Sequence, residues 1–336
     1  MPQTVLMAFC WERPNWFAPK GVDPVDDYSF DHPKCAAQVA REHEAVRTRA
    51  GIFDQSSFAK FKIEGPDAER ELQRICSNDM SRPVGSVVYT QMLNRRGGIE
   101  ADVTFCRVKD RYYMVTGTGY GLHDSTHLRR NLSPGARVTV SEVTSAYSCL
   151  PVMGPASRQI LQPLAEADLS NSAFPFATCR EIFIAGAPVL AVRVIFVGEL
   201  GWELHVPSEY TLKVYEEIQR RIGAQFGLAA AGYRAIDSLR LEKAYRVWSA
   251  DIGPDFTPYE GGSRLCGPYR QERRLHRPRC VGCRPGKVVA ATARYPQHRS
   301  HRRAARTRND LPGRQARGGP KPVELAPEQC RHGVED

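Results

Sequence analysis

VVYTQMLNRRGGIEADVTFCRVKDRYYMVTG, residues 87–117, decides the fold. Three runs rich in Val, Tyr, Thr, Ile and Phe are separated by short polar turns. The segment reads as an antiparallel meander: strand 87–93, a turn at Asn94–Gly98, strand 99–108, a second turn, and strand 111–116. Asp102 follows the Gly-Gly-Ile turn near the start of the middle strand. A carboxylate there either sits in solvent at the turn or projects into a cavity.

Elements on both sides extend the pattern. Residues 36–51 read as a helix ending at Gly51. FAKFKIEGPDAERELQRIC is a strand over 58–64, a Gly-Pro turn, and a helix with Pro66 near its start. HDSTHLRRNL is a short helix. A second unit follows: ARVTVSEVT and YSCLPVMG as strands, PASRQILQPL as a helix with Pro155 at its start, and EIFIAGAPVLAVRVIFVG as paired strands. WELHVP is a strand, and SEYTLKVYEEIQRRIG a helix that Ser208 is expected to cap. Two similar strand–helix–strand halves imply a pseudo-duplicated α+β architecture, with subdomains over about 36–140 and 141–260.

The order ends at Glu260. Residues 261–336 hold 18 Lys+Arg against 6 Asp+Glu, a net of +12, which leaves 29 basic and 31 acidic residues, a net of −2, in 1–260. The basic balance of the chain therefore belongs to the tail. Sixteen of the 18 tail cations are Arg, with Cys266, Cys280, Cys283 and Cys330 scattered among them. A nucleic-acid or membrane arm is the usual reading of a basic run. Such arms mix Lys with Arg, however, and this tail has no apolar period of 2 or 3.6. It reads as a GC-rich gene translated out of frame. EGGSRLCGPYRQERRLHRPRC, residues 260–280, back-translates to codons that yield EAGLGFAVRTGKKDDFIGRDA when one G is removed after Glu260. The expectation is a disordered, out-of-frame basic tail over 261–336 and no specific nucleic-acid partner.

The body, of ordinary apolar content, is long enough to bury a sizeable core. No run of 18 apolar residues suggests a membrane span. The start, MPQTVLMAFCWERPNWFAPKG, lacks a basic opening and is not expected to be a signal peptide. Cys10, Cys35, Cys76, Cys106, Cys149 and Cys179 are widely spaced and read as reduced thiols of a cytoplasmic protein. Cys280-x-x-Cys283 lacks a second pair, so no metal site is expected. No strand-borne G-x-G-x-x-G occurs, and GTGYGL at 117–122 lacks the third glycine.

Six motifs in order carry a family resemblance: CWERPNWFAP, GIFDQSSFAKFKIEGPDA, YTQMLNRRGGIEADVTFCR, VMGPASRQIL, FVGELGWELHVP and YRAIDSLRLEKAYRVWSADI. Over residues 8–260 the chain resembles the tetrahydrofolate-binding half of sarcosine and dimethylglycine dehydrogenases, and through it the glycine-cleavage T-protein (aminomethyltransferase). Residues 1–35 then correspond to the linker from a dehydrogenase half, which carries the FAD. The restored string EAGLGFAV…DFIGRDA resembles the same family's continuation into its C-terminal barrel, which the present tail would replace.

The resemblance implies roles. Asp102 matches the folate-site aspartate, which positions a tetrahydrofolate amine and takes a proton as a carbon is added. Glu203 matches the glutamate that hydrogen-bonds the pterin, whose amino-pyrimidine edge pairs with a carboxylate. Glu199 either joins it or shapes the turn. Met92 is included in the folate site by its place in the YTQML motif. Trp202 and Phe196 pack either on the ligand or in the core. Arg240 either contacts the ligand or pairs with Glu242 or Asp237. Cys10 stands where the linker motif has Gly, Phe196 where many relatives have Tyr, and Ile236 where T-proteins tend to have Arg. The function implied is capture of the carbon from oxidative demethylation as 5,10-methylenetetrahydrofolate, with folate as ligand and a separate flavin-containing dehydrogenase subunit as an open partner. A non-catalytic folate-binding module and an inert product of a damaged gene are the alternatives.

Overall fold

The computed structural model describes residues 3–8, 11–26 and 33–262. Cys10, the Cys280-x-x-Cys283 pair and the tail from residue 263 lie outside the described residues. The elements are β1 (Gln3–Ala8), β2 (Trp11–Phe17), α1 (Ala36–Thr48), β3 (Gly51–Ile52), β4 (Ala59–Glu64), α2 (Ala68–Ile75), β5 (Val87–Leu93), β6 (Ile99–Val108), β7 (Arg111–Thr116), α3 (Gly121–Arg130) and β8 (Thr139–Glu142). They continue with β9 (Tyr147–Met153), α4 (Ser157–Leu161), β10 (Cys179–Ile184), β11 (Ala187–Val192), β12 (Gly201–Pro207), α5 (Thr211–Glu216), β13 (Ala229–Ala230) and α6 (Tyr233–Glu242).

The duplication is written in the sheet orders. One sheet runs β5-β6-β7-β4-β8, the other β10-β11-β12-β9-β3-β13. In each half a strand and a helix lead into a three-stranded meander, whose last strand returns to pair with the first. A helix and a short strand then follow. The second sheet differs by one insertion: β3 pairs with β9 antiparallel and β13 parallel. Gly51–Ile52 thus joins the second sheet although it precedes the whole first unit. A single cut near residue 140 does not separate the halves.

Alternation of side chains builds three apolar layers. Phe61, Ile63, Met92, Ala101, Val103, Phe105 and Met114 face the first half's own helices. Trp202, Leu204, Val206, Phe174 and Ile218 form the matching core of the second half. Between the sheets, Val87, Cys106, Val108, Tyr113 and Val115 meet Cys179, Leu190 and Val192. Backbone bonds from Val87 N to Ala177 O (2.8 Å) and from Cys179 N to Gly85 O (2.7 Å) stitch the halves at this edge.

Two local expectations change. The helix after β12 is not one α-helix. It opens as a 3-10 turn at Ser208–Tyr210, passes α5, and continues through a π turn at Glu217–Ile222 and a 3-10 turn at Gly223–Phe226. Ser208 does not cap it, because its hydroxyl donates to Ser145 O at 2.6 Å instead. Gly227, with φ +64°, ends the segment in the left-handed region that glycine favours. The WERPNWF segment is also no loose linker. Trp16 is buried with Ala18, Cys35 and Val39, and Phe17 N donates to Glu42 Oε1 at 2.8 Å. Glu42 Oε2 accepts from Gly232 N at 3.0 Å, so this one buried carboxyl joins β2 to the start of α6.

Candidate functional site

Asp102 lies in β6, on the face turned toward the second sheet. Its strand neighbours Ala101 and Val103 point into the first half's core, whereas Cys106 and Val108, on the same side as Asp102, enter the layer between the sheets. Toward Glu100 the polar residues begin. Gln91 of β5 sits directly opposite Asp102 in register, with Tyr89 beside it opposite Thr104. Burial raises the Asp102 carboxyl to about 7, against hydrogen bonds from Tyr89 and Gln91 that hold it down, while the nearby Asp124 charge adds to the rise. Its Oδ1 is sealed from solvent and finds no hydrogen-bond partner among the described residues. An acceptor left open in this way suits a ligand N–H or a proton to be taken up.

A polar chain runs through α3, and the Asp124 charge in it reaches Asp102. Thr116 Oγ1 donates to Asp124 Oδ2 at 2.5 Å. His123 places Nδ1 2.9 Å from Asp124 Oδ1 and Nε2 3.2 Å from Glu100 Oε1. Burial lowers the His123 ring, but bonding and charge from Asp124 and Glu100 outweigh it and raise it above its ordinary value. Burial likewise raises Asp124 despite its bonds to His123 and Thr116.

The segment after α6 closes over this end. Trp248 Nε1 donates to Ile99 O at 2.9 Å, Ile99 N to Phe256 O at 2.9 Å, and Tyr120 OH lies 2.6 Å from Ser249 Oγ. The Trp248 ring meets Tyr120 edge-on at 4.8 Å. This explains the Gly-Gly of the turn. Gly97 has φ +86°, and a Cβ on Gly98 would come within 1.8 Å of Pro254 O.

On the second sheet, Glu203 and His205 share the face of β12 opposite to that of Trp202, Leu204 and Val206. The Glu203 charge is felt by Cys106 and Tyr113 of the first sheet, which places it in the space between the sheets.

The other sequence-predicted residues fall elsewhere. Trp202 is fully buried, edge-on to Phe174 at 6.2 Å between centroids, on the helix side of its sheet. It is a core residue and does not line the site, because one step along a strand reverses the side chain. Met92 is corrected for the same reason: it is opposite Ala101 and fully buried in the first half's core. Glu199 is held by Arg47 Nη1 at 2.9 Å, and Arg47 also binds Glu242. Arg240 pairs with Asp237 (2.9 Å) and with Asp251 (2.6 Å), not with Glu242, and Nη1 donates to Tyr245 O at 3.0 Å. It therefore shapes the turn that delivers Trp248. Phe196 stacks on Tyr245 at 5.8 Å. Sequence reasoning missed Tyr89, Gln91, His123, Asp124 and Trp248. None carries a local signal: a register shift between Met92 and Leu93 defeats a simple count back from the Asn94–Gly98 hairpin, which would set Gln91 opposite Ala101 instead of Asp102.

Among the described residues no helix is long and apolar enough to cross a membrane. The described cysteines, Cys35, Cys76, Cys106, Cys149 and Cys179, are free and buried.

Known proteins agree with this architecture. Mouse mitochondrial sarcosine dehydrogenase is 38% identical over 319 residues, covering 82% of this chain and 35% of the relative. Rat mitochondrial dimethylglycine dehydrogenase is 34% identical, covering 75% of this chain and 29% of the relative. The chain thus spans about a third of the length of these relatives. The structure of the glycine cleavage system aminomethyltransferase T from Bartonella henselae superposes with a TM-score of 0.62 at 23% identity, over 76% of this chain and 63% of that one. It shows the same fold. The profile of the GCVT N-terminal domain matches residues 4–266, which include both sheets, Asp102 and Glu203, so the chain belongs to the GCVT N-terminal domain family.

Proposed function

We propose that this chain transfers a one-carbon unit to tetrahydrofolate, as the folate half of a sarcosine- or dimethylglycine-dehydrogenase-type protein. The observation that carries the reading is the Asp102 carboxyl: buried, raised to about 7, and with Oδ1 sealed from solvent and without a hydrogen-bond partner among the described residues. When bound, tetrahydrofolate supplies the amines that receive the carbon. Asp102 orients the reacting amine and takes up its proton, and a pKa near neutrality suits that exchange. Tyr89 and Gln91 fix the carboxyl's orientation. Glu203 pairs with the amino-pyrimidine edge of the pterin. Arg240 and Glu199 act through the loops they pin and do not touch the ligand. The carbon would come from an N-methyl amine oxidised at a flavin centre. The likeness to sarcosine and dimethylglycine dehydrogenases favours that source.

The test is formation of 5,10-methylenetetrahydrofolate from formaldehyde and tetrahydrofolate by the purified chain, after its folate affinity has been measured. Rate enhancement over the spontaneous condensation supports transfer; binding without enhancement reduces the chain to a folate-binding module. Glu203→Gln is expected to weaken folate binding about tenfold or more, since a charge-assisted hydrogen bond contributes roughly 1.5–3 kcal/mol. Unchanged affinity removes Glu203 from the pterin site.

We also propose that the reading frame breaks after Glu260. The charge balance changes there, from a net of −2 over residues 1–260 to +12 over 261–336. Removing one G after the Glu260 codon is expected to raise the melting temperature and the soluble yield. Equal melting of the unaltered and corrected proteins overturns the frame reading.

A further inference from the structure

The face of β12 that carries Glu203 also carries His205, and the register sets His205 opposite Cys149 of β9. A residue, its i+2 neighbour and a cross-strand partner thus point to one spot between the sheets. One donor atom from each of the three lies within 4.8 Å of the other two. His205 Nε2 is 3.9 Å from Cys149 Sγ and 3.7 Å from Glu203 Oε2. Tetrahedral coordination with bonds of about 2.0–2.3 Å holds such donors roughly 3.3–3.7 Å apart. The two edges that meet at His205 would need to close by only a few tenths of an ångström, and the Cys149–Glu203 edge lies within 4.8 Å. The second ring nitrogen, His205 Nδ1, lies 3.2 Å from Tyr113 OH, an outer partner of the kind that orients a ligating imidazole.

We propose that Cys149, Glu203 and His205 form a three-ligand site for a borderline divalent cation of the Zn2+ type, with a fourth position open to water. The donor set of one thiolate, one imidazole and one carboxylate suits such an ion better than Mg2+ or Ca2+, which take oxygen ligands. Cys149 and His205 are fully buried, and the Glu203 side chain, 16% exposed, gives the route in from solvent. Binding forms the metal–sulfur bond as the Cys149 thiol gives up its proton to solvent, and a neutral imidazole supplies a ring-nitrogen lone pair. The Lys60 ammonium draws the thiol toward the thiolate but opposes the cation itself. It is engaged by the carbonyls of Ser56 and Phe58 at 2.8 and 3.1 Å. The site does not depend on the folate reading, although the ion would occupy the carboxylate assigned to the pterin.

The test is a Co2+ titration of the full chain without folate, followed by absorption. A thiolate-to-cobalt charge-transfer band together with intense tetrahedral d–d bands is expected. Cys149→Ser should abolish the charge-transfer band. Cys280→Ser with Cys283→Ser should leave it in place, since the tail thiols are the competing explanation. Glu203→Gln, which alters a partly exposed group, should keep the band and weaken affinity by tenfold or more. Zn2+ should raise the melting temperature of the unaltered chain but not that of His205→Gln. Absence of Co2+ binding, a band that survives Cys149→Ser, a band lost with Cys280 and Cys283, or full affinity in Glu203→Gln each overturns the proposal.

Discussion

Asp102→Asn is expected to cut methylene transfer by about 10²–10⁴-fold, the range of a positioned acid–base group, and at the same time to stabilise the protein above neutral pH. The amide keeps the shape of the carboxyl but cannot take a proton. The stability effect follows from the raised carboxyl. Because burial lifts Asp102 from 3.8 to about 7, the folded state disfavours its ionised form. No stability is lost to this group below the unfolded value near 3.8. The loss grows as pH rises and is complete above about 7. At pH 8 it is on the order of 2–4 kcal/mol, because each tenfold weakening of an acid on folding corresponds to about 1.4 kcal/mol. Melting of the variant and the unaltered protein should coincide at about pH 4 and diverge by about pH 8, with the variant higher. The unaltered protein's transfer rate should rise with pH through about 7. A variant that keeps its rate removes Asp102 from the reaction. A variant with no gain at high pH shows that the carboxylate is better solvated than its surroundings imply.

Trp202→Ala is expected to destabilise the fold by about 3–5 kcal/mol, as for other large-to-small changes at fully buried aromatics. The cavity would open beside Phe174 in the second half's core. Trp202→Phe, which keeps most of the volume, should be much milder. Both should bind folate as the unaltered protein does, when affinity is referred to the folded fraction. Denaturant unfolding gives the stability and fluorescence titration the affinity. A folded Trp202→Phe protein with tenfold weaker folate binding would show that the indole reaches the ligand, and that the face assigned to it is wrong.

Much of this protein was legible in the chain. The meander at 87–117 appears with the predicted strand limits for β5 and β6 because its alternation is strong and both turns are short. The repeat of strand, helix and meander was legible for the same reason: local periodicity follows from the backbone itself. Motif order led to the family. Tertiary structure alone decided which face of each strand looks between the sheets and which packs on its own helices. Trp202 and Glu203 are adjacent in sequence, yet one fills the helix side of the sheet and the other looks across to β6, because the pleat reverses at every residue. The insertion of Gly51–Ile52 beside β9, the nearness of the Asp124 charge to Asp102, and the meeting of Cys149 with Glu203 and His205 were equally hidden. Each joins residues far apart in the chain, and contacts of that kind are set by how two sheets pack, which no local pattern records.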